Sequence, residues 1–81
     1  MIVEANRIIQ KDETGRIIAE ITFPETLPGV FVIDHTFVDE SLRGQGVASK
    51  LVQAAVDEIK KRGGKVQATC SYAKKWLEKN L

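Results

Sequence analysis

Apolar and polar residues follow two different periods along this chain, and the change of period marks out its elements. Residues 2–10 alternate loosely, with Val3, Ala5 and Ile9 in one phase and Ile2 and Ile8 in the other. Lys11-Asp12-Glu13-Thr14-Gly15 interrupts with turn chemistry, and Arg16 to Phe23 then alternates clearly, Ile17, Ala19, Ile21 and Phe23 against Glu20 and Thr22. The two runs predict a hairpin. Pro24-Glu25-Thr26-Leu27-Pro28-Gly29 ends the second strand, because two prolines cannot donate to a ladder and Pro-Gly favours a turn. Val30 to Val38 reads as a third strand, rich in β-branched and aromatic residues and apolar on both faces over its first half.

Beyond Gly46 the spacing lengthens to that of a helix. Val47, Leu51, Ala55 and Ile59, flanked by Val52 and Val56, form one stripe, and Ser49, Lys50, Gln53, Asp57, Glu58, Lys60 and Lys61 lie opposite. Gly63-Gly64 stops the helix. Lys65 to Cys70 predicts a short strand, and Ser71 an N-cap for a last helix from Tyr72 to Asn80 with Ala73, Trp76 and Leu77 inward. The order β-β-β-α-β-α gives an α/β fold, an α+β mixed sheet with three antiparallel strands and one parallel crossover pair, the crossover right-handed. Ligands of such sheets bind at the carboxyl ends of the parallel strands, here the stretch from Phe37 to Ala48 opposite Cys70 and Ser71.

Composition narrows the function classes. The 81 residues suffice for one domain, residues 1–81, with a small core. No apolar stretch approaches the ~20 residues of a membrane helix, and the charged opening Met-Ile-Val-Glu-Ala-Asn-Arg does not read as a signal peptide, so a cytoplasmic location is expected. A net charge of +1, with both signs interspersed, provides no broad field for a nucleic-acid backbone. One cysteine and one histidine argue against a disulfide or a zinc site, so no metal is expected. The local basic excess, Lys60-Lys61-Arg62 with Lys65 and then Lys74, Lys75 and Lys79, suits helix ends; the alternative is that some, Lys74 foremost, neutralise a phosphorylated ligand.

The segment Leu42-Arg43-Gly44-Gln45-Gly46-Val47-Ala48 places a glycine turn between a strand and a helix start, an arrangement that presents backbone N–H groups to a pyrophosphate. With its flanks, Phe37-Val38-Asp39-Glu40-Ser41-Leu42 before and Ser49-Lys50-Leu51-Val52 after, it resembles the GNAT superfamily of acetyl-coenzyme A dependent N-acetyltransferases. That family's signature is Arg or Gln, two residues, Gly, one residue, then Gly or Ala, matched here from Arg43 to Ala48. His35-Thr36 and Cys70 resemble a minimal GNAT-like subgroup more closely. The resemblance implies acetyl-coenzyme A as cosubstrate and an amine as acceptor. It also implies that backbone at Phe37 and Val38 pairs with the pantetheine, and that amides of Gly44, Gln45, Gly46, Val47 and Ala48 hold the pyrophosphate beside Arg43. Two departures stand out: Leu77 aligns where larger members often carry a proton-donating tyrosine, and the strands that complete their acceptor cleft are missing after the last helix.

Cys70 falls before a helix N-terminus, where the dipole would favour a thiolate; it is either a small buried residue or the group that accepts the acetyl or protonates the departing thiol. His35, in phase with Phe31, Ile33 and Phe37, is either a core histidine or a base for Cys70 or the amine. Asp34, Asp39 and Glu40 would attract a cationic amine or serve as turn residues, and Tyr72 and Trp76 read as packing residues, the alternative for Tyr72 being that it reaches the thioester end. Two functions follow: an acetyltransferase using Cys70 and His35, or an acyl-coenzyme A binding or interaction module. The expected assembly is a monomer, or a weak homodimer through the open sheet edge.

Overall fold

The computed structural model describes residues 1–80. Strands β1 (Ile2–Val3), β2 (Arg7–Lys11) and β3 (Ile17–Thr22) form an antiparallel meander. The segment expected only to end the second strand carries a short strand of its own, β4 (Glu25–Leu27), which turns through Pro28-Gly29 into β5 (Val30–Ile33). Helix α1 (Val47–Lys61), strand β7 (Lys65–Ala68) and helix α2 (Ser71–Asn80) complete the chain.

The expected third strand, Val30 to Val38, is in fact two. Val30 to Ile33 pairs in parallel with β7, in register Val30 to Lys65 through Ile33 to Ala68, whereas β6 (His35–Val38) pairs antiparallel with β3. The exchange of partner is completed within one peptide. The Ile33 carbonyl accepts the N–H groups of Thr69 (3.0 Å) and Cys70 (3.2 Å), and the Asp34 N–H then donates to Thr22 on β3 (3.3 Å). The Thr22 hydroxyl holds the Asp34 carboxylate at the same point. Two sheets result, β1-β2-β3-β6 and β4-β5-β7, in place of one.

The break shifts the side-chain phase. Phe31 and Ile33 are buried, but beyond Asp34 it is Thr36 and Val38 that turn inward, while His35 and Phe37 are exposed. A strand has a period of two, so one residue outside the ladder reverses which face each later side chain occupies. His35 therefore does not share a face with Phe31 and Ile33.

Helix α1 buries Val47, Leu51, Val52, Ala55, Val56 and Ile59 against Ile8, Ala19 and Ile21 of the first sheet, Phe31 and Ile33 of the second, and Ala73 and Trp76 of α2. Fully burying each such aliphatic side chain contributes about 1.5–3 kcal/mol, so this stripe clamps the two sheets together. The helix ends with Gly63 N–H donating to Lys60 (2.9 Å) and Gly64 N–H to Ile59 (2.9 Å), which satisfies its last carbonyls. Arg62 adds a second closure: its guanidinium donates to the Glu4 and Ala5 carbonyls, pairs with Glu58 at 2.8 Å, and lies 5.7 Å from the ring centres of both Phe23 and Phe31.

A Cβ on Gly64 would stand 2.8 Å from the buried Phe31 ring and 3.1 Å from the Gly29 carbonyl. Gly64→Ala should therefore lower stability by about 1–3 kcal/mol through overpacking, read as a fall in the urea midpoint at unchanged slope; an unaltered midpoint would show that the ring yields freely.

Candidate functional site

The segment between β6 and α1 is built to leave its amides unused. Asp39 accepts from the Ser41 N–H (3.0 Å) and hydroxyl (2.7 Å), bonds that hold its carboxyl below the usual carboxylate range and start a single 3-10 turn over Glu40–Leu42. Asp39 and Glu40 thus serve the turn. Gly44 (φ +81°) and Gly46 (φ +70°) carry the chain into α1 through left-handed conformations that other residues enter at a cost. A Cβ at either would meet open space, so the requirement for glycine is conformational. Gly46 occupies the N-cap position of α1, where Ser, Thr, Asp or Asn would bond the first amides, and no side chain caps this helix.

The amide accounting then singles out a cluster. Arg43 N–H donates to Glu40 (3.1 Å) and Gln45 N–H to Leu42 (3.4 Å), while Lys50 N–H is the first to enter the helix ladder, on Gly46 (3.1 Å). Among the described residues, no acceptor lies against the N–H groups of Gly44, Gly46, Val47, Ala48 and Ser49. Five free donors at the positive end of a helix dipole suit a diphosphate. The Gln45 amide, expected in this set, is spent within the turn, and Ser49 takes its place. A cleft of ≈ 260 Å³ runs along these residues, bounded also by Val38, Leu42, Arg43 and Tyr72. Arg43 reaches into solvent with a side chain 74% exposed, 4.0 Å from Glu40.

The cleft meets the split between the sheets. Asp39 N–H donates to Ile18 (2.8 Å), and with the two-residue period of an antiparallel ladder Phe37 likewise turns its backbone toward Glu20 on β3. Thr36 and Val38 consequently direct their N–H and C=O groups at the unpaired edge of β6. Val38 thus presents its backbone groups at the open edge. The Phe37 backbone is committed to β3, and its ring stands 40% exposed on the outer face.

Across the split stands Cys70. Helix α2 begins at Ser71, one residue earlier than expected, and Lys74 N–H bonds to the Cys70 carbonyl (2.9 Å), so Cys70 rather than Ser71 is the cap. Its sulfur lies 3.6 Å from the Thr36 hydroxyl. Partial burial pushes the thiol pKa up, but hydrogen bonding to the sulfur from the Ala73 N–H, the Thr36 hydroxyl, the Tyr72 N–H and the Thr36 N–H outweighs it, and the net shift is downward. In the geometry itself the sulfur's one hydrogen bond among the described residues is to the Thr36 hydroxyl, from S–H to Oγ1. His35 is not its partner. It projects from the opposite face of β6, and no hydrogen bond joins it to Cys70 among the described residues; Thr36 occupies the place expected for it.

Three residues that sequence reasoning left out of the candidate site belong to it. Tyr72, read as packing, is 42% exposed and walls the cleft, whereas Trp76 is buried and donates from its indole N–H to the Ser49 hydroxyl (3.0 Å). Ser49 borders the cleft. Thr36 could have been found from the phase reversal, had the break at Asp34 been legible. Lys74 is exposed on α2 and does not line the cleft. The cluster Lys60-Lys61-Arg62 sits at the far end of α1, about 20 Å from its amides at 1.5 Å per residue, too remote to neutralise an anion there.

The family model for the GCN5-related N-acetyltransferases matches residues 7–81. The chain belongs to this family. Among solved structures, a GCN5-like candidate N-acetyltransferase from Staphylococcus aureus superposes with a TM-score of 0.76 at 38% identity, over 95% of this chain and 76% of that one. The glucosamine-6-phosphate N-acetyltransferase of Arabidopsis thaliana superposes with a TM-score of 0.63 at 28% identity, over 90% of this chain and 56% of its own. Protein NATD1 of Xenopus tropicalis is 35% identical over 48 residues, 59% of this chain and 44% of that protein. The match thus spans less than half the length of this curated relative. GCN5-related N-acetyltransferases generally use acetyl-coenzyme A and amine acceptors. No helix among the described residues is long and apolar enough to cross a membrane, and no group of metal-binding side chains is present among them.

Because the Cys70 thiol ionises more readily folded than unfolded, its contribution to stability is present above the unfolded pKa and is lost as pH falls through the folded one. Alkylation of Cys70 by iodoacetamide should accordingly show a midpoint pH below that of N-acetylcysteine, and Thr36→Val should raise it. A wild-type midpoint at or above that of the small thiol would remove the case for a stabilised thiolate.

Proposed function

We propose that this protein binds acetyl-coenzyme A and transfers the acetyl group to an amine, with Cys70 as the reactive group. The observation that carries this reading is the alignment of three features along one split. These are the free amides of residues 44 and 46–49, the open β6 edge at Val38, and the Cys70 sulfur bonded to the Thr36 hydroxyl. In this reading the amides bind the diphosphate, and the edge groups of Val38 pair with the amides of the pantetheine arm. That geometry brings the thioester to Cys70.

Cys70 as thiolate then attacks the thioester carbonyl carbon. The new S–C bond forms as the bond to the coenzyme sulfur breaks, and coenzyme A leaves as a thiolate that is protonated from solvent. An amine attacks the acetyl-Cys70 carbonyl, the amide forms with loss of a proton to water, and the Cys70 thiolate is regenerated. The Ala73, Tyr72 and Thr36 groups that lower the thiol pKa stabilise the charge at the start and end of the cycle. His35, on the other face of β6, takes no part at the sulfur. A cytoplasmic location and a monomeric or weakly dimeric state belong to the same proposal.

A second reading, an acyl-coenzyme A binding module without turnover, draws on Leu77. This residue packs against the core where a larger relative would present a hydroxyl. Cys70 separates the two readings. Calorimetry should show uptake of acetyl-coenzyme A, and Gly46→Glu should weaken it by about 100-fold or more, since like-charge juxtaposition costs several kcal/mol. Cys70→Ala should still bind yet release no coenzyme A with a panel of polyamines, small amines and peptides, and wild-type protein should show an acetyl adduct on Cys70 by mass spectrometry. Undiminished turnover in Cys70→Ala would overturn the thiol mechanism, and absence of binding to folded wild-type protein would overturn both readings.

A further inference from the structure

The diphosphate cleft has a neighbour. Tyr72 also lines a second cavity of ≈ 320 Å³, together with Ser49, Lys75, Trp76, Lys79 and Asn80. The two cavities share Ser49 and Tyr72, so they adjoin beside the amides of α1. Lys75 and Lys79 are four residues apart on α2 and therefore on one helical face. Neither lysine forms an ion pair among the described residues, and no carboxylate lines this cavity.

Of the remaining polar groups, Ser49 is left as a donor. The Ser49 oxygen already accepts the Trp76 indole N–H at 3.0 Å, which leaves its own O–H to give. Asn80 is held by a bond from its Nδ2 to the Trp76 carbonyl at 2.8 Å, at the end of the same face. A second groove adjoins the amides on the other flank of α1, lined by Gly46, Ser49, Lys50, Gln53, Ala54 and Asp57. There the single lysine is offset by the Asp57 carboxylate, which accepts from Gln53 at 2.9 Å. Of the two continuations, only the α2 side carries uncompensated positive charge.

We infer that Lys75 and Lys79, with the Ser49 hydroxyl, form a second anion subsite that reads the 3′-phosphate on the ribose of coenzyme A and so sets preference for the phosphorylated coenzyme over its dephospho form. The inference rests on the function proposed above, because a diphosphate on the α1 amides is what brings the ribose phosphate to α2. A dianionic monoester facing two ammonium groups in a part-enclosed groove supplies charge-assisted contacts that dephospho-coenzyme A cannot make. Lys74, one position away, lies off this face, which accounts for its absence from both cavities.

Calorimetric titration of the full chain at low ionic strength with acetyl-coenzyme A and acetyl-dephospho-coenzyme A tests this. Wild-type protein should prefer the 3′-phosphorylated ligand by about tenfold or more, the range of a charge-assisted hydrogen bond. Lys75→Gln with Lys79→Gln should erase that preference while the double variant retains uptake of the dephospho ligand, and Lys74→Gln should keep it. Equal wild-type affinities, or a preference that survives in the double variant, would overturn the subsite and leave the proposed function standing; failure of wild-type protein to take up either ligand would overturn the proposed function itself.

Discussion

The transfer of one strand's hydrogen bonds from β7 to β3 at Asp34 is the constraint on which the rest of the structure depends. Strand β7 ends at Ala68, opposite Ile33, so beyond that residue the strand has no partner on the β7 side. There the Ile33 carbonyl takes the last two amides of the β7 side, and the Asp34 N–H turns to Thr22. From that peptide onward β6 has one satisfied edge and one unsatisfied edge. The unsatisfied edge faces Cys70, so a single exchange of partner creates both the opening and its chemistry.

Two sets of donors are then held ready without a side chain to quench them. At α1 an uncapped helix start and two left-handed glycines leave five amides unpaired, an arrangement that forgoes the roughly 1 kcal/mol a capping side chain would contribute. At α2 the cap is supplied by a thiol, a poorer acceptor than a carboxylate or hydroxyl until it ionises. The same geometry that leaves the first helix receptive to an external anion makes the second favour an internal one on its own sulfur. The cost is carried elsewhere, by the aliphatic stripe of α1 and by the Arg62 guanidinium, which ties the far end of that helix to the first turn of the meander.

Much of this was legible in the sequence where a signal is local. The 3.6-residue stripe from Val47 to Ile59 and the Gly63-Gly64 stop mark α1 to within a residue, and the Arg43 to Ala48 pattern locates the amide cluster. The break at Asp34 was not legible, because β-branched and aromatic residues resume at Thr36 to Val38 and one polar Asp-His pair inside such a run does not announce a change of partner. His35 therefore read as facing inward, and Thr36, noted only for the resemblance, was given no role at Cys70. Short strands such as β4 escaped for a related reason: their pairing comes from tertiary neighbours, and Pro24 and Pro28 at their margins speak for a break. Lys74 was separable from Lys75 and Lys79 only once the face of α2 that meets α1 was known.

Trp76 is the sole tryptophan of the chain, and its indole N–H is bonded to the hydroxyl of Ser49, the residue common to both cavities. The emission of an indole responds to the polarity and charge around its ring nitrogen. The molecule thus contains a native optical reporter at the junction of the two cavities. Occupancy of that junction can be followed by fluorescence on the unlabelled chain, without a modification that would disturb so small a core.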